Sequence, residues 1–249
     1  AGIGVKIAGD CCGTTPDYIK EIVKQMPLNK GERENVKNIS KLCSPQKMVE
    51  VKGVRVIGER INPTGKKRFQ QALRECDLNY IAERAIEQAE AGADILDVNV
   101  GLPGIDEVEM MVKVVKTIQS VVNLPLQIDS SDPAAIEAGL RVFNGKAIVN
   151  SVNGEQEVMD KILPIVKKYG ASVVGLAMDS KGIPKSAEER INIAKRILDN
   201  ALKHGIKKED VFIDCLTLTV SAQQEQAVET LKAVRYVKEE MGLHTVLGV

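Results

Sequence analysis

Tryptophan is absent from this 249-residue chain, phenylalanine occurs three times, and aromatic residues make up 3% of it. A flat ring bound here would have to be sandwiched by aliphatic, methionine or amide side chains. Histidine occurs twice, at His204 and His244, which leaves little imidazole for a metal site. Charge of one sign is missing too: 34 basic side chains face 34 acidic ones. A formal net charge of zero argues against a dedicated nucleic-acid binder or membrane-surface protein. No apolar run approaches the roughly 20 residues that cross a bilayer, and no signal-type leader is visible. The five cysteines are odd in number and follow no framework spacing. They fit a reducing compartment better than a disulfide scaffold, so the expected location is cytoplasmic.

The chain is long enough for one large α/β domain or two small ones. It opens on Ala1 and ends in the apolar strand pattern Thr245-Val246-Leu247-Gly248-Val249, which reads as a piece of a longer polypeptide. From about residue 53 one pattern repeats: short apolar run, polar residue, loop, long amphipathic segment, glycine. The runs are Val54–Ile57, Ile95–Val98, Leu126–Asp129, Ala147–Asn150, Val173–Met178, Val211–Asp214 and Thr245–Leu247. They are rich in β-branched residues and leucine with little alternation, as expected of parallel strands covered on both faces.

The segments between have helical spacing. Val108, Met111, Val112, Val115 and Ile118 share one helix face, as do Ile191, Ala194, Leu198 and Ala201. Gly92, Gly170, Gly205 and Gly242 sit where C-caps are wanted. Ser186 with Glu189 reads as a capping box, and Asp132-Pro133 as an N-cap followed by a helix-opening proline. The expected fold is therefore α/β: a (β/α)8 TIM barrel over residues 53–249, C-terminally incomplete near strand seven. A doubly wound open sheet is disfavoured, because the Gly58–Gly65 turn lacks the glycine spacing of a phosphate-binding loop. Residues 1–26, with a strand at Val5–Gly9 and a helix opening at Thr15-Pro16-Asp17, read as the tail of an upstream domain. The charged, turn-rich stretch 27–52 reads as an interdomain linker.

Barrel enzymes carry their chemistry at the C-terminal ends of the strands. Those ends hold Glu59, Arg60 and Asn62, then Asp97 and Asn99, Asp129, Asn150, Asp179 and Asp214. One polar residue at a strand end is a strand meeting solvent, whereas an acid or amide at nearly every end describes a shared bowl. Carboxylates and carboxamides suit a flat heterocycle with adjacent N–H donors; a pterin's N3–H and 2-amino group match one carboxylate bidentately. Magnesium is the rival ligand, without compact metal-loop spacing to support it. Lys66, Lys67 and Arg68 read as the solvated start of a helix, with a folate glutamate tail as the alternative contact.

Gly58-Glu59-Arg60-Ile61-Asn62, Asp97-Val98-Asn99-Val100-Gly101, Ile128-Asp129-Ser130-Ser131, Ile148-Val149-Asn150-Ser151 and Phe212-Ile213-Asp214, in that order from about Val54 to Val249, resemble the pterin-binding barrel family. That family includes the methyltetrahydrofolate domain of cobalamin-dependent methionine synthases and the methyltetrahydrofolate:corrinoid iron–sulfur protein methyltransferases, with dihydropteroate synthases more distant. The resemblance implies that Asp129, Asn150 and Asp214 hold the pterin. It also implies that Glu59, Asn62, Asp97 and Asn99 line the same bowl. The family uses a further asparagine just beyond strand seven, so the chain as it stands is expected to be inactive. Cys11-Cys12-Gly13-Thr14-Thr15-Pro16 resembles the closing strand and helix of a homocysteine S-methyltransferase barrel, where adjacent cysteines are two of three thiolate ligands to zinc. The resemblance implies that residues 1–26 are the last strand–helix unit of such a barrel and that Cys11 and Cys12 are part of an incomplete zinc site. Cys43, Cys76 and Cys215 read as structural.

A homocysteine barrel leading into a pterin barrel is the order of cobalamin-dependent methionine synthases. The implied partners are 5-methyltetrahydrofolate, a cobalamin-bearing corrinoid domain or protein, and homocysteine in the upstream domain. Two other readings stay open: a stand-alone pterin enzyme of the corrinoid-methyltransferase or dihydropteroate-synthase type, and a non-catalytic folate-binding module.

Overall fold

The computed structural model describes residues 12–25, 39–218 and 224–248. The chain divides into two compact units, Ala1–Asn38 and Ile39–Val249. In the first, helix α1 (Pro16–Gln25) begins where Thr15-Pro16-Asp17 predicts, and it buries none of its residues. The expected strand at Val5–Gly9 and Cys11 lie outside the described residues.

The second unit opens with a hairpin of β1 (Lys41–Cys43) and β2 (Met48–Glu50), Leu42 facing Val49. This part of the stretch read as linker is therefore folded. Each strand has only three residues, too few for periodicity to show. The hairpin is held from outside: Leu42, 0% exposed, packs with Ile95, Ile148, Val174 and Phe212 of the main sheet. Gly145 lets it approach, since a Cβ there would lie 2.1 Å from the Cys43 carbonyl oxygen. Truncating this side chain in Leu42→Ala is expected to cost about 3 kcal/mol, as for other buried leucines, and denaturant unfolding would read it.

Seven parallel strands follow, in the spatial order of the sequence. They are β3 (Ile57–Ile61), β4 (Ile95–Asn99), β5 (Leu126–Asp129), β6 (Ile148–Val152), β7 (Ser172–Leu176), β8 (Val211–Asp214) and β9 (His244–Val246). The helices between them are α2 (Lys67–Glu75) and α3 (Leu78–Glu90), then α4 (Glu107–Val121), α5 (Pro133–Val142), α6 (Gln156–Tyr169), α7 (Ala187–Lys203) and α8 (Gln224–Glu239). The result is a curled parallel sheet, an incomplete (β/α) barrel with β3 at one edge and β9 at the other. The first strand starts later than its apolar run suggests. Val54 is 87% exposed, and the strand instead runs through Glu59 and Arg60. As an edge strand, β3 is half solvated and tolerates polar residues that a central strand would exclude.

Alternate residues split the core in two. Leu96, Val98, Ile128, Val149, Val173 and Ile213 face the helices; Ile95, Ile148, Val174 and Phe212 face the barrel interior above the hairpin. The helix faces are centred about one residue from the expected ones: α4 buries Met110, Met111, Val114, Val115 and Ile118, leaving Val108 and Val112 half-buried. The caps stand as read. Ser186 accepts from the Glu189 N–H, Asp132 from the Ala134 N–H, and the four glycines have φ from 58° to 94°.

Candidate functional site

The alternation that aims Ile95 and Ile148 inward also aims the strand-end polar residues into the same interior. Parallel register aligns Asn99 of β4 with Asp129 of β5, and Asp129 with Asn150 of β6. One level below, Asp97 lies beside Gln127. Asn99 Nδ2 donates to Asp129 Oδ2 at 3.0 Å, and Asn99 Oδ1 accepts from the Gly101 N–H at 2.9 Å. The amide is thereby locked, and it orients the carboxylate. The Asn150 side chain has no hydrogen bond among the described residues, so its amide is available to a ligand.

Asp214 ends β8, aligned with Leu176 and Val246. One of its oxygens accepts at 2.7 Å from the N–H of Leu216, whose own φ is 61°. Glu59 stands at the rim with Lys66 Nζ 3.1 Å away. Asn62 is buried, its Oδ1 accepting from the Thr64 N–H at 2.9 Å, so part of its capacity is committed to a turn. Asp179 caps a turn through the Lys181 N–H and pairs with Arg196 at 3.1 Å, leaving its carboxylate engaged outside this row.

The bowl is short of cations, and its carboxyl groups respond. Burial, then the Asp129 charge, pushes Asp97 up to about 8 against the opposing Gln127 hydrogen bond. Burial, then Glu59 and Glu107, raises Asp129 despite the Asn99 bond; burial raises Asp214. Such groups favour a ligand that brings N–H donors. They also set a stability trend. A carboxyl whose folded pKa is raised keeps its proton in the native state after the unfolded chain has lost it. Stability therefore falls as pH rises from about 4 towards 8. Melting at pH 5 and pH 8 is expected to show a drop that Asp97→Asn reduces.

Sequence reading missed three contributors. Gln127 is a polar residue at an inward position of an apolar strand, a signal visible once the register is known. Ser130, within a quoted motif, donates through Oγ to the Glu107 carboxylate and accepts from the Asp132 N–H, bracing the loop after Asp129. Arg190, 0% exposed, holds the loop after β8.

Cys12 lies four residues before the first residue of α1, and Cys11, the other expected zinc ligand, is outside the described residues. Among the described residues, no three His, Cys, Asp or Glu side chains are grouped to hold a metal. Cys215 is buried with its thiol pushed up to about 12, as befits an inert structural cysteine. A groove of about 340 Å³ lies on the outer face of α8, lined by Val228, Leu231, Arg235 and Glu239, away from the strand ends. No described helix is long and apolar enough to cross a membrane.

An incomplete parallel barrel with inward acids and amides at its strand ends defines a class of binding site for flat, donor-rich heterocycles. Residues 58–249 match the family described as pterin binding enzyme, and the chain belongs to that family. It is 31% identical over 268 residues to methionine synthase of Mycobacterium leprae and 31% identical over 263 residues to that of Mycobacterium tuberculosis. Both alignments cover 100% of this chain and 22% of the relative, so the chain spans about a fifth of those proteins. Among solved structures, dihydropteroate synthase of Xanthomonas albilineans with 4-aminobenzoic acid superposes with a TM-score of 0.67 at 19% identity, covering 84% of this chain and 77% of that one. The same enzyme in complex with 7,8-dihydropteroate gives 0.62 at 20% identity, over 84% and 76% of the two chains. At that identity the likeness is one of fold.

Proposed function

We propose that this barrel binds 5-methyltetrahydrofolate and presents its methyl group to a cob(I)alamin corrinoid, from which homocysteine is methylated to give methionine. The observation that carries the reading is the aligned row Asn99–Asp129–Asn150, with Asp214 across the sheet, all inward at the C-terminal strand ends. Asp129 and Asp214 would accept from the 2-amino/N3 edge, and Asn150 would meet a ring nitrogen or carbonyl. Glu59, Asn62 and Asp97 complete the wall. Identity to methionine synthases over the whole of this chain favours methyl transfer over pteroate synthesis, and it extends through residues before the barrel.

The corrinoid would supply the nucleophile that takes the methyl group. N5 is a poor leaving group and must gain a proton or hydrogen bond as the C–N bond breaks. The barrel's share is to fix the ring so that N5 is presented, and to bind the more basic product-like pterin more tightly. In this reading residues 1–26 close a homocysteine-binding barrel whose zinc ligands include Cys11 and Cys12, and the protein works in the cytoplasm. Equilibrium titration with 5-methyltetrahydrofolate tests the binding step. Mixing with reduced corrinoid then tests transfer, through loss of the cob(I)alamin absorption band. With the full-length protein, binding without transfer would point to a folate-holding module, and no binding would sink the folate reading.

A further inference from the structure

Below the row of strand-end residues, Asp97 and Gln127 form a buried pair, 1% and 5% exposed. Gln127 Nε2 donates to Asp97 Oδ1 at 2.6 Å. The other Asp97 oxygen and the Gln127 carboxamide oxygen are both buried with no hydrogen-bond partner among the described residues. On its other side Gln127 is in register with Ile148, an apolar residue of the barrel interior. An apolar side chain at position 127 would continue that packing and remove the orphaned carboxamide oxygen, although it would also strip Asp97 Oδ1 of its donor. Leaving buried polar oxygens unpaired costs free energy, so the ligand-free fold gains nothing from the second acceptor. A ligand bringing N–H donors would satisfy both.

We infer that Gln127 is a positioning residue of the pterin site: its N–H fixes one oxygen of Asp97, so that the other, together with the Gln127 carboxamide oxygen, forms a pair of acceptors for N–H donors of the ring. This rests on the folate reading above and adds a residue to it. The same hydrogen bond favours the ionised form of Asp97, so its removal raises that group further.

Gln127→Met keeps the side-chain length and removes both donor and acceptor; Gln127→Leu probes the same loss with a branched side chain. Titration with 5-methyltetrahydrofolate between pH 6 and pH 9, beside thermal melts, reads the outcome. Expected are affinity lowered by about tenfold in the folded protein and a pH midpoint of binding moved upward, in both variants. Unchanged affinity and midpoint in both variants, with the unmodified protein binding normally, would overturn the inference alone. So would a lowered melting temperature with unaltered binding by the folded fraction, which marks a structural role. Failure of the unmodified protein to bind folate would overturn the functional reading and this inference together.

Discussion

Asp129→Ala is expected to weaken 5-methyltetrahydrofolate binding by at least tenfold, on the order of 1.5–3 kcal/mol for a lost hydrogen bond to a charged group. Asp129 ends β5 facing the barrel interior, and the Asn99 amide holds one of its oxygens. Among the described residues its carboxylate has no basic partner, and burial, Glu59 and Glu107 all work against its charge. Removing it therefore relieves the ligand-free protein, so the melting temperature should hold or rise while affinity falls. That opposition separates a ligand contact from a structural one. Asp129→Asn, which keeps one acceptor but exchanges the other for a donor, should also bind weakly. Calorimetric titration of both variants would settle the assignment; affinity equal to that of the unmodified protein would remove Asp129 from the pterin site.

The largest effect on stability is expected at Arg190. Its guanidinium is fully buried and donates to the Pro184 carbonyl at 2.9 Å, the Cys215 and Leu216 carbonyls at 3.0 and 3.1 Å, Thr230 Oγ1 at 2.6 Å and Gln226 Oε1 at 2.8 Å. One planar fork thus ties α7, the loop after Asp214 and α8 together. Arg190→Met would leave several buried acceptors unpaired, at about 3–4 kcal/mol in total. A melting temperature lower by about 10 °C would follow for a domain of this size. Lysine cannot reproduce the fork, so Arg190→Lys should recover little. Because the Leu216 N–H also holds the Asp214 carboxylate, folate affinity should fall in whatever fraction remains folded. Near-normal melting in Arg190→Met would show that the loop is held by other contacts.

The repeating unit was legible in the chain because its causes are local. Parallel strands covered on both faces need continuous apolar runs, helices need one apolar stripe, and Asp132-Pro133, Ser186 and Gly170 act within a few residues of themselves. The row Asp97, Asn99, Asp129, Asn150 and Asp214 was legible for the same reason, each being the polar residue that closes or interrupts an apolar run. Legibility failed where partners lie far apart along the chain. The hairpin at Lys41–Glu50 shows no pattern of its own and is stabilised by burying Leu42 against β4, β6, β7 and β8. The entry of β3 was hidden because an edge strand accepts Glu59 and Arg60.

By itself, then, the sequence determined a parallel α/β barrel and the set of acids and amides at its strand ends, since strand, helix and cap signals are short-range properties of the polymer. Only the tertiary structure decided which of those side chains meet. Parallel register set Asn99 against Asp129 and Gln127 beneath Asp97, each pair 30 residues apart in the chain, while packing sent Arg190 into the interior and drew Asp179 away to Arg196. A hydrogen bond depends on positions in space to within a fraction of an ångström, and no periodicity along the chain carries that information.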